Sequence, residues 1–580
     1  MKRLVELAKR RGYFFQTGEP YGAVAGFYTY GPHGAALKAN LEEAWRERWS
    51  VMEGHTEIDA PTVMPEAVFQ ASGHLDTFDD MLVECAACGE SHRADHLIED
   101  ETDLEEPESL PIAKIEALIR EHDVRCPTCG TALADQPVED FNLMFETNIG
   151  PGSSNPGYLR PETAQGIFVD FPRLKEYARG ELPFGVTQIG RAYRNEISPR
   201  NAVVRTREFT QAELELFFDP EEHAPDLSSI RDVEAPLYRA VDQLDEDGTP
   251  VDMTIGEAVE AGIIADDWIA YYLGIAAEWY EAMGVDMDRF RFRQHQSGEL
   301  AHYASECWDA ESDVSGPEED PEWIELAGFA NRGTYDLGNH EAHSGEPFTV
   351  FQEYDEPKTV ERATVDPDMS ELGPEFGSAA ADVAEALADL AERDRSAFEG
   401  ESVAVEVDGD SYTVPVEHTG FEVAETTEAG RHFTPHVIEP SFGIDRTIYT
   451  VLVHAYDEDE IDGEERTVLR LPPEVAPTFV GVFPLMDKDG LGERATEIAA
   501  ALREAGFSVT YDDSGAIGRR YRRQDEIGTP FCVTVDYESL EEDTVTLRER
   551  DSTEQIRLSI DDLVPTLSGL RDGTRSFEQL

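Results

Sequence analysis

The chain has 580 residues, with 47 lysines and arginines against 122 aspartates and glutamates, and a formal net charge of −75. Roughly 100–200 residues per domain predicts three or four domains, and 40% hydrophobic with 9% aromatic residues argues against a disordered acidic chain. No apolar run reaches the roughly 18 residues that a membrane-spanning helix needs, and the first residues lack the apolar core of a secretory signal. We therefore expect a soluble, cytoplasmic protein.

The acidic residues are spread along the whole chain, and only 7 of the 47 basic residues are lysines. High net charge keeps a protein soluble, and the Debye length falls to about 3 Å at 1 M salt. We interpret this surface as adaptation to a very salty cytoplasm; an ordinary acidic protein is the alternative. Because such a net charge reflects adaptation to the solvent and not to a particular partner, it does not exclude nucleic acid as a partner.

The first predicted elements are a helix and a strand. Residues 35–49 place Leu37, Leu41, Ala44 and Trp45 at helical spacing. The extended segment Thr56–Pro61 follows directly.

Four cysteines form two Cys-x-x-Cys pairs: Cys85, Cys88, Cys126 and Cys129. A glycine follows each pair, Gly89 and Gly130, where a tight turn needs a residue that is free to take a positive φ. Four thiolates complete a tetrahedral Zn²⁺ site, so the pattern predicts a structural zinc module. Two disulfides are the alternative, which a reducing cytoplasm disfavours. An acidic stretch between the pairs, residues 99–123, indicates a surface excursion.

Two long strands are predicted to face each other across a polar loop, residues 198–206. The first runs from Phe184 through Arg194–Ile197, and the return strand runs from Arg207 to Phe218. Strand side chains alternate, so Arg194 and Glu196 share one face of this hairpin. Phe209, Gln211, Glu213 and Glu215 share a face of the return strand. A solvated face is the alternative for any one charge, but the cluster is typical of a site for an anion, a cation and a ring together.

Further along the chain, residues 219–285 predict an insertion that is helical near its end. Residues 365–430 predict another, with a helix that carries Ala380, Val383, Leu387 and Leu390 on one face and a hairpin turning at Asp408-Gly409. From about residue 470 the pattern becomes β-α-β-α-β, which indicates a separate mixed α/β domain.

Arg446 lies in the first turn of the helix predicted after Ser441-Phe442-Gly443. A cation is poorly placed at a helix N-terminus, unless both face a bound phosphate. The alternative is an arginine that reaches a nearby aspartate.

A basic helix carries four arginines around Tyr521: Arg519, Arg520, Arg522 and Arg523. Arginines interleaved with an aromatic ring suit nucleic-acid phosphates and bases. The alternative is a helix whose arginines pair with surface acids.

Together these segments resemble the class II aminoacyl-tRNA synthetases, and within them the archaeal and eukaryotic α₂ glycyl-tRNA synthetases. Three segments resemble the three sequence motifs of that class. The helix and strand ending at Pro61 resemble motif 1, the hairpin around Arg194 resembles motif 2, and the segment ending at Arg446 resembles motif 3. Four more stretches resemble this family in particular: Tyr30–Gly34, Arg160–Gln165, Glu299–Ala304 and Glu439–Gly443. The resemblance covers nearly the whole chain.

This resemblance implies an α+β fold, in which an antiparallel-sheet catalytic domain with insertions precedes a C-terminal mixed α/β anticodon-binding domain. We place the first part of the catalytic domain at 1–82, the zinc-binding insertion at 83–140, the second part of the catalytic domain at 141–468 and the anticodon-binding domain at 469–580.

It also implies that Arg194, Glu196 and Arg446 act in catalysis. Arg194 would bridge the α-phosphate of ATP and the amino-acid carboxylate, Phe209 would stack on adenine, and Arg446 would reach the γ-phosphate. The residues expected at ATP are Arg194, Asn195, Glu196, Val204, Arg205, Thr206, Arg207, Glu208, Phe209, Asp336, Leu337, Gly443, Ile444, Asp445 and Arg446.

A second group is expected at glycine by the same resemblance. Its members are Arg93, Glu162, Phe209, Thr210, Gln211, Ala212, Glu213, Glu299, Glu439, Pro440, Ser441, Phe442 and Gly443. The carboxylates would recognise the ammonium group and crowding would reject a Cβ, so no editing domain is expected.

The implied activity is the ATP-dependent attachment of glycine to tRNA(Gly) through glycyl-adenylate. Mg²⁺ would accompany ATP, structural Zn²⁺ would occupy the four-cysteine site, and the protein would be a homodimer. One alternative is a synthetase-like accessory subunit, which would be expected to lack the phosphate-binding arginines. Another is a related class II enzyme that charges a different small amino acid.

Overall fold

The computed structural model describes residues 2–580, except for residues 103, 105, 106, 108, 109, 153, 154, 200, 201, 245–247, 297, 299–303, 317, 318, 408, 409 and 462. The chain forms two compact units, one made of Met1–Phe348 with Pro435–Leu580 and the other of Thr349–Thr434. Among the described residues, no helix is long and apolar enough to span a membrane.

The N-terminal segment forms α1 (Lys2–Arg11), β1 (Phe14–Gln16), β2 (Tyr28–Tyr30), α2 (Pro32–Arg46), β3 (Thr56–Glu57), β4 (Val63–Pro65), α3 (Glu66–Ala71) and α4 (His74–Thr77). Helix α2 begins with Pro32, whose missing N–H costs nothing in a first turn, and it buries Leu37, Leu41 and Trp45 on the predicted face. Gly34 lies so close to the Tyr13 carbonyl that an added Cβ would sit 1.8 Å from the oxygen. Only glycine fits there.

A small module follows, made of β5 (Asp79–Glu84), β6 (Ser91–Arg93), α5 (Ala94–Glu101), α6 (Ile112–Glu121) and β7 (Val138–Asn142). Its strands pair antiparallel in the order β6-β5-β7. Helix α6 buries Ile115, Leu118 and Ile119 in the core of this module. The acidic stretch 99–123 is therefore not just a surface excursion, because its apolar residues recur at helical spacing between the acids.

The next part of the chain forms β8 (Phe145–Asn148), β9 (Pro156–Leu159), α7 (Ala164–Tyr177), β10 (Phe184–Tyr193), β11 (Glu208–Phe218), β12 (Glu234–Tyr238), β13 (Val251–Thr254), α8 (Ile255–Glu260), α9 (Asp267–Ala282), β14 (Phe290–Gln294), β15 (Glu306–Asp313), β16 (Trp323–Gly333) and α10 (Tyr335–Ser344). Strands β10 and β11 are the predicted antiparallel hairpin. The first strand ends at Tyr193, so the expectation that it continues through Arg194–Ile197 is wrong. Backbone pairing extends only one step further, where the Arg194 N–H donates to the Arg207 carbonyl at 3.0 Å.

The second unit contains β17 (Val350–Thr364), α11 (Met369–Phe376), α12 (Ala380–Arg393), β18 (Ser402–Val407), β19 (Asp410–Pro415) and β20 (Glu422–Phe433). Helix α12 buries the predicted Ala380, Val383 and Leu387 in the core of this unit, and Leu390 packs against that core. Strands β18 and β19 pair antiparallel. Their predicted turn, Asp408-Gly409, lies outside the described residues.

The chain then returns to the first unit with β21 (His436–Gly443) and α13 (Ile444–Ala455). Strand β21 completes a nine-stranded sheet with the order β13-β12-β14-β15-β16-β21-β11-β10-β3. Residues 219–285 are therefore not a separate insertion, because β12 and β13 form one edge of this sheet and α9 lies in the main core.

Alternation along the strands gives the central sheet two different faces. Ala212, Leu214 and Phe442 lie in the main hydrophobic core together with Trp45 and α13. Side chains one position away, on the opposite face, are charged or polar. The candidate site lies on that second face.

The C-terminal part forms β22 (Tyr456–Ile461), β23 (Glu464–Leu469), β24 (Val480–Pro484), α14 (Leu491–Glu504), β25 (Val509–Tyr511), α15 (Ile517–Asp525), β26 (Phe531–Val535), α16 (Tyr537–Glu542), β27 (Thr544–Glu549), β28 (Gln555–Ser559) and α17 (Ile560–Arg571). The order β24-α14-β25-α15-β26 matches the predicted alternation. The five strands of this domain lie in the order β25-β24-β26-β27-β28.

The start of the chain contacts the end of α15. The Tyr13 hydroxyl donates to the Ile527 carbonyl at 2.5 Å, and Arg11 Nε donates to Glu526 at 2.6 Å. Tyr13 is fully buried. The N-terminal segment therefore packs against the C-terminal domain.

Candidate active site

A cleft with about 580 Å³ of empty space lies on the polar face of the sheet, above β11 and β21. Three arginines from three separate segments line it: Arg194 after β10, Arg205 in the hairpin loop and Arg446 in the first turn of α13. Other lining residues are Glu196, Val203, Val204, Thr206, Phe209, Thr210, Gln211, Glu325, Leu326, Ser441, Gly443 and Asp445. The fold thus brings together most of the residues that the sequence placed at ATP.

Arg194 and Arg205 are both held in defined positions. The guanidinium of Arg194 lies between two rings, 5.3 Å from the centroid of Phe78 and 5.4 Å from that of Phe209. Arg205 Nε donates to Glu196 at 2.9 Å. An aromatic face and two oriented cations suit an adenine ring and phosphate oxygens.

Arg446 pairs with an acid, although not with the nearby aspartate that the alternative interpretation expected. It lies at the start of α13, and its guanidinium donates to the Glu325 carboxylate at 3.0 Å and to the Val204 carbonyl at 3.2 Å. Desolvation opposes ionisation of Glu325, whose side chain is half exposed, but the charges of Arg446 and Arg194 outweigh it and lower its pKa. The acid partner comes from β16, not from a nearby aspartate.

The sequence analysis missed Glu325 and Leu326, which line this cleft, and named Asp336 and Leu337 instead. Asp336 and Leu337 are buried in α10 and are not among the described residues that line the cleft. Asp336 pairs with Arg332 at 2.7 Å. The pairing of β16 with β21, which sets Ala327 opposite Phe442, is the feature that places Glu325 beside Arg446.

Asp445, another residue expected at ATP, anchors the start of α13. Its carboxylate accepts hydrogen bonds from the Thr210 N–H at 2.5 Å and from the Tyr30 hydroxyl. Burial raises the pKa of Asp445. Its contacts tie motif 3 to β11 and to the Tyr30–Gly34 stretch, which explains how Arg446 is oriented.

Beside the cleft lies a cluster of carboxyl groups, called the acidic pocket below. Glu213 and Ser441 are directly opposite each other on β11 and β21, and Ser441 Oγ donates to Glu213 at 2.7 Å. Glu213 also accepts from the Thr163 hydroxyl. Burial and the charge of Glu162 raise the pKa of Glu213.

The other two acids of this pocket have cationic partners. Glu162 lies 3.5 Å from His74 Nε2; burial opposes its ionisation, yet the charges of His74 and Arg332 lower its pKa. Glu439 accepts from Arg332 at 3.1 Å, but burial is stronger and raises the pKa of Glu439 to about 7. The pocket therefore holds carboxyl groups of different proton affinity in one small volume.

Glu215 belongs to this pocket although no role was assigned to it. Its side chain is fully buried, and burial together with the charge of Glu439 raises its pKa well above the usual value. A protonated Glu215 can donate to Glu439. The alternation of side chains along the strand already placed Glu215 on this face, so the sequence could have identified it as a site residue.

Several residues expected at glycine do not belong to the pocket. Ala212, Pro440 and Phe442 alternate with the pocket residues, and Phe442 packs 4.7 Å from the Trp49 ring in the core. Arg93 lies with Asp80 and Asp95 in the four-cysteine module. Glu299 lies outside the described residues.

The four cysteines of the module come together as predicted. Cys85 and Cys129 Sγ atoms are 3.6 Å apart, and those of Cys88 and Cys126 are 3.7 Å apart. These distances exclude disulfides, and they match the roughly 3.8 Å between sulfurs bound to one tetrahedral zinc ion. The Thr131 hydroxyl and N–H lower the pKa of Cys129 to about 6, which favours the thiolate form that zinc requires.

The basic helix α15 presents only part of its predicted surface. Arg519 is exposed, and Arg522 lies 3.5 Å from Asp525. Arg520 is buried and donates to the carbonyls of Asp513 and Gly515 at 2.7 and 2.8 Å, so its assignment to a nucleic-acid surface is wrong. Arg523 pairs with Asp512 at 2.8 Å, as the alternative interpretation expected.

Comparison with known proteins agrees with this geometry. A glycine–tRNA ligase from Methanothrix thermoacetophila is 48% identical over 100% of this chain and 98% of its own length. Those from Methanothermobacter thermautotrophicus and Methanocaldococcus jannaschii are 47% and 46% identical, each over 98% of this chain and 99% and 98% of their own lengths. The chain belongs to the glycine–tRNA ligase family. The family predicted from the motifs is thus confirmed.

Two further comparisons concern the fold of this family member. Residues 480–570 match the family model of an anticodon binding domain. A solved prolyl-tRNA synthetase from Cryptosporidium parvum, complexed with L-proline and AMP, superposes with a TM-score of 0.50 at 12% identity and covers 98% of this chain and 75% of that one. The predicted α+β fold, a class II synthetase with a C-terminal anticodon-binding domain, is confirmed.

Proposed function

We propose that this chain attaches glycine to tRNA(Gly) in two steps. A carboxylate oxygen of glycine attacks the α-phosphorus of ATP, and the bond from that phosphorus to pyrophosphate breaks. A hydroxyl of the 3′-terminal adenosine then attacks the glycyl carbonyl carbon, and AMP leaves. The observation that carries this proposal is the direct contact between a cleft lined by three arginines and a buried acidic pocket, joined by Glu213 and Ser441 on paired strands.

The cleft supplies the nucleotide half of this reaction. Arg194, Arg205 and Arg446 offer planar guanidinium groups, which bind two phosphate oxygens at once. Phe209 offers a ring face for adenine. Such a transfer is accelerated by positioning and by charge stabilisation, and Mg²⁺ bound with ATP would neutralise phosphate charge.

The acidic pocket supplies recognition of the amino acid. Glycine carries an ammonium group and no side chain, and Glu162, Glu213 and Glu439 face one small space. We infer that these carboxylates bind the ammonium and that the packed Ser441 hydroxyl leaves no room for a Cβ. Steric exclusion discriminates well against a larger substrate, so charging of alanine is prevented without an editing domain.

The remaining assignments extend the same proposal. Residues 469–580 would bind the anticodon arm through Arg519 and Arg522, residues 83–140 would hold structural Zn²⁺, and 1–82 with 141–468 would form the catalytic domain. The enzyme would work as a homodimer in a salt-rich cytoplasm. The four-cysteine geometry supports zinc, and the acidic composition supports the salt-rich setting.

Pyrophosphate exchange, measured with glycine, alanine, serine and proline in multimolar KCl with Mg²⁺, tests the proposal. Exchange with glycine alone is expected. Exchange with none of the four would favour the accessory-subunit alternative, and exchange with another amino acid would favour a different class II enzyme.

A further inference from the structure

The acidic pocket contains one more acid, which the proposed function leaves without a role. Glu215 lies two residues after Glu213 on β11, so the two side chains share one face of the sheet. The Glu215 side chain is fully buried, and within the described part of the chain neither of its carboxyl oxygens has a hydrogen-bond partner. A buried polar group without a partner costs free energy, so a fold that keeps Glu215 here must satisfy it in another way.

The register of the sheet sets Glu215 opposite another acid. Strands β11 and β21 keep one register on both sides of this position, in the pairs Glu213 with Ser441 and Leu216 with Ile438. Counting from either pair places Glu215 opposite Glu439. Directly opposite side chains on antiparallel strands have their Cβ atoms about 4.5–5.5 Å apart, and these two carboxyl groups lie within hydrogen-bonding reach of each other.

A cation from β16 acts on both acids. Arg332 donates to Glu439 Oε1 at 3.1 Å, and its charge acts to lower the pKa of Glu439 and of Glu215. Arg332 also donates twice to Asp336 of α10, at 2.7 and 2.9 Å. Its single charge therefore acts on three carboxyl groups at once.

Burial and the neighbouring acids act in the opposite direction. Burial is the largest cause that raises the pKa of Glu215, and the charges of Glu439 and Glu213 raise it further. Toward β10, the neighbour of Glu215 is Val186, which is buried and apolar. Glu162, from the segment before α7, joins Glu213 in raising the pKa of Glu439. Like charges directly opposite each other in a sheet are unfavourable, so one acid of the pair keeps its proton near neutral pH.

Proton affinity decides which acid keeps that proton. The pKa of Glu215 is raised well above its usual value, whereas that of Glu439 is raised only to about 7. Glu215 is therefore the protonated member, and its O–H can donate to Glu439, whose Oε2 has no partner among the described residues. A carboxylate offers about four lone pairs, so bonds from Arg332 and Glu215 leave Glu439 free to accept from an ammonium group.

We propose that Glu215 is a positioning residue of the glycine pocket, which stays protonated and donates a hydrogen bond that orients Glu439 and favours its ionised form. This inference rests on the proposed function, because it takes Glu439 to bind the glycine ammonium. The two opposite acids then have different roles. Glu439 supplies the negative charge, and Glu215 supplies a fixed donor that keeps this charge in place despite burial.

Two variants of the full-length protein test this role. Glu215→Gln keeps a neutral side chain of the same length with an N–H donor, whereas Glu215→Met keeps the length without a donor. The Michaelis constant for glycine is measured by pyrophosphate exchange between pH 6 and 9 in multimolar KCl with Mg²⁺. Because its amide still donates to Glu439, Glu215→Gln should stay within about threefold of the wild type and keep the same pH profile.

Glu215→Met should weaken glycine binding in a way that depends on pH. Loss of a hydrogen bond to a charged group should raise the Michaelis constant for glycine about tenfold near pH 7. A donor to the charged form lowers the pKa of a carboxyl group, so without it the pH below which this constant rises should increase by about one unit. The Michaelis constant for ATP should stay at the wild-type level.

Infrared spectroscopy gives a readout that does not depend on activity. At pH 8.5 exposed carboxyl groups are ionised, so few protonated ones contribute to the spectrum. The C=O stretching band of a protonated carboxyl group should be present in the wild type and reduced in Glu215→Gln. The difference spectrum of the two proteins isolates this band.

Glu53→Gln and Glu53→Met are the matched controls. The Glu53 side chain is also largely buried, at 13% exposed, but it pairs with Arg48 and Tyr271 beside a separate cavity. Because distant sites act independently, both changes should leave the Michaelis constant for glycine within about twofold.

An equal loss of glycine affinity in Glu215→Gln and Glu215→Met would overturn the inference, since Glu215 would then act as a charged group. Wild-type affinity in both variants would overturn it as well. If Glu215→Met does not fold, the pH profile of Glu215→Gln and the infrared band decide in its place. A wild type that shows the band but no glycine-dependent exchange would refute the proposed function and the role in glycine binding with it. An active wild type without the band would refute this inference alone.

Discussion

Ser441 and Glu213 lie opposite each other on adjacent antiparallel strands, and the serine hydroxyl donates to the carboxylate at 2.7 Å. This pair forms part of the wall between the nucleotide cleft and the acidic pocket. It fixes a carboxylate oxygen, and under the proposed function it would fill the space into which a substrate Cβ would project.

Replacing Ser441 by glycine should admit alanine. The change removes the hydroxymethyl group, so the ratio of kcat/KM for alanine to that for glycine should rise about tenfold, in line with the cost of one methyl group in a pocket. Pyrophosphate exchange with each amino acid measures this ratio. Ser344→Gly, at the end of α10, is the control and should leave it unchanged; the same result for Ser441→Gly would count against the steric model.

Glycine binding should depend on pH through Glu439, whose pKa is raised to about 7 by burial. An ionised Glu439 attracts the glycine ammonium, so the Michaelis constant for glycine should rise by up to about tenfold per pH unit below 7. Measurement between pH 6 and 9 tests this. Glu439→Gln should bind glycine more weakly and lose the dependence in this window; retention of the same pH profile would assign it to another group.

The same group makes stability depend on pH. Because the pKa of Glu439 is higher in the folded chain than its unfolded value of about 4.3, its contribution favours folding below that value and is lost as the pH rises through about 7. Glu439→Gln has no ionisable group at this position, so it removes this loss of folding stability at high pH. The difference in melting temperature between variant and wild type should therefore move in favour of the variant as the pH rises from 5 to 8.

Zinc should bind at one ion per chain and should depend on the four-cysteine site. Cys85→Ser removes one of four ligands and should abolish stoichiometric zinc, whereas Cys532→Ser, which changes a thiol outside the site, should not. Elemental analysis of protein purified without chelator decides the matter. Full zinc content in Cys85→Ser would contradict the assignment.

Substitution of Arg519 and Arg522 on α15 should affect tRNA charging and not ATP chemistry. Arg519→Ala combined with Arg522→Ala should raise the Michaelis constant for tRNA several-fold while pyrophosphate exchange stays unchanged. Salt already weakens phosphate contacts steeply, so the effect should be larger at the lowest salt that keeps the protein folded. Arg494→Ala, on α14, is the control, and a fall in exchange activity for the double variant would give α15 another role.

Local patterns and the family resemblance together predicted most of the cleft, but neither identified its partner from β16. The periodicities predicted the two hairpin strands and the helix that begins near Arg446. They did not identify Glu325, because its place beside Arg446 follows from how β16 pairs with β21, and pairing between distant strands has no local signature. Asp336 was named at ATP on the family resemblance alone.

A different limit applies to the basic helix. Four arginines within five residues indicate a charged surface, yet Arg520 and Gln524 are buried one helical turn apart and therefore share the inner face. Composition alone does not show which arginines of such a segment are buried and which are exposed. The helical period, applied to each arginine in turn, would have shown that Arg520 lies on the inner face.

The contact of Tyr13 with Ile527 has a mechanical consequence for the catalytic centre. Tyr13 is followed by Phe14, which pairs with Tyr30, and the Tyr30 hydroxyl in turn holds Asp445, the neighbour of Arg446. A chain that lacks residues 1–14 would therefore lose more than helix α1. It would lose the segment that connects the C-terminal domain to the start of α13, where Arg446 lies.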